Sequence, residues 1–120
     1  MTVKTRSSIW AANILTAGAG NETSSTVDLS GKYPSLVTIT ITNGATGPTI
    51  GASVSVQVAC DTGGTVWGEI FTFTAATTNS LVTRKAYEIP IGAQALQLVA
   101  GGNTDQDVTI NADICTVDAV

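Results

Sequence analysis

The residues able to do chemistry in this chain are few, and histidine is absent from it. That removes the usual general base, the usual proton shuttle and the commonest zinc ligand together. A serine nucleophile without histidine needs a lysine or a terminal amine beside it, and Lys4, Lys32 and Lys85 stand in no such motif. Glycosidase chemistry needs two carboxylates facing each other across a cleft. Among the acidic residues, Glu69 and Glu88 fall mid-strand; they are either neighbours on one sheet or plain solvent-facing charge, paired with Arg84 or Lys85. Asp105 and Asp107 share a loop with Asn103 and offer oxygen ligands of the kind calcium takes. Their spacing matches no calcium motif, and turn-forming Asx chemistry explains them equally well. The glycine pieces Gly18 to Gly20, Gly63-Gly64 and Gly101-Gly102 follow no phosphate-loop pattern and read as turns. No catalytic, metal or cofactor-binding residue is assigned, and an enzyme is not expected.

Aromatic and sulfur side chains leave binding as the open chemistry. Trp67, Phe71 and Phe73 share one parity and are expected to plug the core, with Tyr87 beside them. A Trp and a Tyr can instead form a sugar-stacking platform, using Trp67 or Trp10 with Tyr87, and a carbohydrate-binding module is the alternative function. Trp10 sits with Ile9 and Ile14 in a segment whose apolar residues fit neither the helical nor the strand period. These three are interface candidates, because Trp-led patches carry binding energy out of proportion to their area. By strand parity Cys60 points inward with Val54, Val56 and Val58. Cys115 points outward, opposite to Ile110, Ala112 and Ile114. A bridge between the two is disfavoured unless a bulge intervenes, and Cys115 becomes the fourth interface candidate.

The elements that position these residues read as strands throughout. Val37, Ile39 and Ile41 alternate with Thr38, Thr40 and Thr42; Val54, Val56 and Val58 alternate with Ser53, Ser55 and Gln57. A period of two with β-branched residues makes strands with one apolar and one hydroxyl-bearing face. Between them Asn43-Gly44, Gly47-Pro48 and Gly51 serve a loop, so the two are expected as antiparallel neighbours. Asp61 to Gly64 predicts a hairpin into a strand at 65–74. Further strands are expected near 26–29, 81–89, 93–100 and 107–116, with residues 1–16 an N-terminal arm and 9–16 a first strand or a short helical turn. About eight short strands in one domain predict an all-β antiparallel sandwich of jelly-roll type.

Composition narrows the partners. Charged residues make up only 12% of the chain, so its polar surface is built from Thr, Ser, Asn, Gln and Gly. Interface cores are depleted in charge, which suits a chain that lies against other proteins; a monomer solubilised by hydroxyls and a net charge of −4 is the other option. The acidic balance argues against nucleic acid or an anionic membrane surface as partner. The opening MTVKTRSSIW lacks the apolar core and cleavage site of a secretory signal, and synthesis in a cytoplasm is expected.

The run VTITITNGATGPTIGASVSVQVACDTGGTVW, followed by EIPIGAQALQLVAGGNT, resembles small structural proteins of tailed bacteriophage virions. In those a strand ending in TNG, a GPT loop, a strand of the VSVQV type, a turn before a Trp and a closing VAGGNT recur in this order. The likeness spans roughly residues 26 to 112 and marks no catalytic residue. It implies a virion component: a capsid decoration or cement protein, or a neck or fibre-associated piece. It also implies a homo-oligomer, such as a trimer, bound to the major capsid or to a neck or tail protein.

Overall fold

The structure, a computed structural model, describes residues 3–33 and 35–118. Nine strands form in chain order: β1 (Lys4–Leu15), β2 (Glu22–Thr23), β3 (Val27–Asp28), β4 (Ser35–Asn43), β5 (Ser53–Ala59), β6 (Gly68–Thr74), β7 (Val82–Ile89), β8 (Ala95–Gly101) and β9 (Val108–Val117). One antiparallel sheet has the order β1-β9-β4-β7; the second has β2-β8-β5-β6, with β3 also pairing β8. The expected all-β, jelly-roll-type sandwich is what the chain forms. Counting β2 and β3 as one interrupted strand, the pairs nest: β5 with β6, β4 with β7, β2/β3 with β8, and β1 with β9.

The alternation seen in the sequence sets the core. Val37, Ile39 and Ile41, with Ile110 and Ile114 beside them in the same sheet, face Val54, Val56, Leu96 and Leu98 of the other, all of them buried. Here the first correction falls. β4 and β5 are central strands of opposite sheets, each flanked by other partners. Their apolar faces meet across the core, and residues 44–52 cross from one sheet to the other. Gly51 serves that crossing by close approach: a Cβ there would sit 1.9 Å from the Ala75 carbonyl oxygen.

The second correction concerns the N-terminal segment. The sequence predicts an arm over residues 1–16, with 9–16 a first strand or a short helical turn. The strand option holds and begins earlier: Lys4–Leu15 form the edge strand β1, paired along β9 and ending at buried Leu15. Residues 1 and 2 lie outside the described residues. Two register shifts, after Ser8 and after Trp10, break the alternation, and Ala12 takes a left-handed φ of 46°. These bulges are why neither period fits the sequence there.

Loops are fixed by side chains acting as backbone partners. In the β5–β6 turn both Asp61 oxygens accept from Thr65 N, and Oδ2 also accepts from Thr65 Oγ1 at 2.6 Å. The Thr65 hydroxyl first, then its backbone N–H, hold the Asp61 carboxyl below its ordinary pKa. Buried Ser24 interrupts β2/β3: its Oγ accepts from Leu98 N while its own N donates to Leu98 O. Buried Asn43 donates to the carbonyls of Ala76 and Thr78, and buried Asn103 to those of Leu15 and Gln106.

Candidate functional site

The outer face of the β1-β9-β4-β7 sheet is assembled by parity. Because Val108, Ile110, Ala112 and Ile114 turn inward, Thr109, Asn111, Asp113 and Cys115 turn outward. Pairing carries these positions across the sheet in rows. Arg6, Cys115, Leu36 and Glu88 make one row, and Ser8, Asp113, Thr38 and Ala86 the next. Asn111, Thr40 and Arg84 follow, then Ile14, Thr109, Thr42 and Val82. The two middle strands therefore present Thr38, Thr40, Thr42, Thr109, Asn111 and Asp113 over the centre of the face. Its ion pair, Arg6 Nη2 to Asp113 Oδ2 at 2.8 Å, has the arginine largely in solvent and holds the sheet only weakly. An open depression of about 490 Å³ lies around Thr40, bordered by Trp10, Arg6, Arg84, Asn111 and Asp113. This face offers methyls, hydroxyls and amides to another surface.

The four interface candidates do not converge. Ile9 and Trp10 are half-buried and pack against the core cluster, Trp10 also bordering the outer depression. Ile14 is 56% exposed on the outer face. Cys115, half-buried, borders a cleft of about 280 Å³ with Leu36, Val117, Lys4 and Glu88 at the other end of that face. Thr109, the partner of Ile14, is six residue steps along β9 from Cys115, roughly 20 Å by strand rise. Ile14 and Cys115 thus mark two margins of one face, and Ile9 and Trp10 help close its β1 flank.

Cys60 departs from its expected burial. β5 stops at Ala59, so alternation does not reach Cys60, which is exposed in the bend beyond. It borders a groove of about 350 Å³ with Val58, Val66, Pro90 and Ala93. Both cysteines are free thiols, Cys115 within β9 and Cys60 in the bend that follows β5 of the other sheet.

The aromatic plug is divided. Phe71 stacks on Tyr87 with ring centroids 4.3 Å apart, and Phe73 lies 6.2 Å from the same ring. The three close the flank between the outer strands β6 and β7. Burial pushes the Tyr87 phenol above its ordinary pKa. Trp67 is outside this group, in the turn before β6, with its ring packed on Gly64. The cause is a bulge: pairing jumps from Val56↔Phe71 to Gln57↔Glu69, which leaves Ile70 extra and ends the parity that Trp67 was expected to share. Trp67 and Tyr87 therefore form no common platform.

The acidic candidates have other partners. Glu69 and Glu88 lie on different sheets, and Glu69 accepts from Ser55 Oγ at 2.7 Å. Asp107 accepts from Ala17 N, and Asp105 from the Thr49 hydroxyl. Among the described residues no three Cys, Asp or Glu gather in a metal-binding group, and no helix is long and apolar enough to cross a membrane. Sequence reasoning singled out none of Arg6, Asn111 and Asp113 around the depression, and named Arg84 only as a charge partner for Glu69 or Glu88. Their common parity was readable, but which strands lie side by side was not.

No protein-family model and no curated protein matches the chain. Solved structures do resemble it in fold. The SPBc2 prophage-derived protein YomS superposes with a TM-score of 0.53 at 13% identity, over 96% of this chain and 95% of that one. A Bacillus endospore appendage subunit, from a family of disulfide-linked pili, gives 0.55 at 13% identity over 99% and 89%. The infectious bursal disease virus Gx strain structure gives 0.55 at 10% identity over 99% of this chain, which spans about a third (32%) of the viral one.

Proposed function

We propose that the chain is a non-enzymatic structural protein of a bacteriophage virion, a capsid decoration or cement protein acting through protein–protein contacts. The observation that carries this reading is the outer face of the β1-β9-β4-β7 sheet. Its two middle strands present Thr38, Thr40, Thr42, Thr109 and Asn111, with Asp113 as the one charge on those strands, paired to Arg6. The threonine methyls add apolar contact when such a face is buried, and its charges, the Arg6–Asp113 pair and Arg84 around the depression, would be met by polar groups of the partner. An ordinary interface takes about 800 Å² per partner, within reach of a four-stranded face. The TNG, GPT and VAGGNT strings and the fold shared with a prophage-derived protein support the virion setting. Ile14 and Leu36, exposed at opposite margins of the face, would be covered on attachment.

The test is the composition of the particle. Virions purified from the strain that encodes the chain should contain it in stoichiometric amount by peptide mass spectrometry. Thr38→Arg with Thr40→Glu should remove it from particles and leave its thermal unfolding unchanged within about 0.5 kcal/mol, as surface substitutions do. Particles that lack the wild-type chain would overturn the reading.

A further inference from the structure

β7 is the outer strand of its sheet, and its backbone register shows what it offers to the open side. Asn43 N donates to Leu81 O at 2.9 Å, and pairing continues from Thr42↔Val82 to Ser35↔Ile89 without a shift. In an antiparallel ladder, residues bonded to the neighbour alternate with residues whose N–H and C=O point the other way. Thr83, Lys85, Tyr87 and Ile89 therefore bond β4. Val82, Arg84, Ala86 and Glu88 direct their backbone groups outward, and among the described residues β7 pairs with β4 alone.

Free edges are normally blunted by bulges, brevity, proline or charge. The other edges here follow that rule: β1 has two register shifts, β6 has one, and β2 and β3 are two residues each. β7 is unbroken over eight residues, with Pro90 only after its end. Its protection would have to come from Arg84, Lys85 and Glu88, all exposed. Their spacing does the opposite for one partner.

We propose that β7 pairs antiparallel with β7 of a second copy of this chain, about a twofold axis through Ala86, joining two four-stranded sheets into one of eight. In this register Arg84 of each copy lies opposite Glu88 of the other, twice, on the outer face that both residues share with Ala86. Ala86 meets itself at the axis, where a small side chain lets the strands close. On the inner side Lys85 lies opposite Tyr87. Arg84, Ala86 and Glu88 exchange backbone bonds across the junction, Val82 N–H meets the Pro90 carbonyl, and Pro90, having no N–H, ends the ladder. Registers centred on Arg84, Lys85 or Glu88 would place like charges at the axis, which strand pairs disfavour. Charge complementarity thus selects both the partner and the register.

The pairing goes beyond the virion reading and is tested separately from it: particle composition decides that reading, and association in solution decides this one. Sedimentation over a concentration series should show wild type dimerising. Arg84→Glu and Glu88→Arg should each weaken the dimer roughly tenfold or more, since attractive pairs become repulsive ones. The double variant R84E/E88R should restore it, with circular dichroism confirming the fold of each. Amide hydrogen exchange gives a second readout: the N–H groups of Arg84, Ala86 and Glu88 should gain protection as concentration rises. A wild type that stays monomeric, single variants that dimerise unchanged, or a double variant that fails to recover would overturn the pairing, as would amides whose exchange ignores concentration.

Discussion

Tyr87 holds the flank of the sandwich with its ring face, stacked on Phe71 and tilted toward Phe73. Burial disfavours the phenolate, so its pKa in the folded chain lies above the ordinary 10.0. A group shifted upward contributes stability that is complete below the unfolded pKa and is lost as pH rises through the folded one. Tyr87→Phe keeps the stacked ring and removes the ionisation. It should leave stability at neutral pH within about 1 kcal/mol and make the loss of stability above about pH 10 shallower. Urea unfolding at stepped alkaline pH reads both; an unchanged alkaline slope would show that lysines, not Tyr87, govern it. Asp61 works with the opposite sign: its lowered carboxyl, held by Thr65, supports the fold above the unfolded carboxylate pKa and loses that support as pH falls.

At the scale of strands, β1 belongs to the fold. Leu15 is 2% exposed, Ile9 and Trp10 pack on the core cluster, and pairing runs from Lys4↔Val117 to Leu15↔Val108. A chain lacking residues 1–15 should lose its cooperative thermal transition, because β9 would be stripped along its length. A truncated chain that melts like wild type would mean that β1 is dispensable. This strand also shows where the sequence stops being readable. Val37, Ile39, Ile41, Val54 and Val56 announced their buried face, since a period of two fixes which side a residue takes. The same period says nothing about neighbours, so β4 and β5 were read as a pair when each belongs to a different sheet. Bulges were equally silent. The shifts around Trp10 and at Ile70 turn parity over; they leave residues 9–16 undecided between strand and helical turn in the sequence, and they account for the misplacement of Trp67. Cys60 was misplaced by one residue of strand length. Nothing in the sequence sets Ser24 apart from its neighbours Thr23 and Ser25, yet its hydroxyl accepts from Leu98 N in the β2/β3 ladder. The threonine face was legible as hydroxyl parity, but its rows need the register.

Taken whole, the molecule is a set of nested antiparallel pairs with the Asp61–Gly64 turn at the centre. Each pair outward is closed by a longer stretch of chain: Ala59 to Gly68, then Asn43 to Val82, then Asp28 to Ala95, then Leu15 to Val108. Closing a long loop in one step is entropically expensive, whereas closing it after the inner pairs have formed leaves only short segments to order. The chain should therefore assemble from the inside out, with the turn in the transition state and β1 docking last. Gly64, at φ +65° with the Trp67 ring beneath it, should slow folding when changed to Ala. Leu15→Ala should cost about 2–5 kcal/mol, chiefly by speeding unfolding. Stopped-flow chevrons separate the two, and a Leu15→Ala effect confined to the folding limb would reverse the order. Until β1 docks, β9 is a bare edge in the middle of an unfinished sheet. The riskiest moment for this chain is thus a late one, when β1 of a neighbour can take the place of its own.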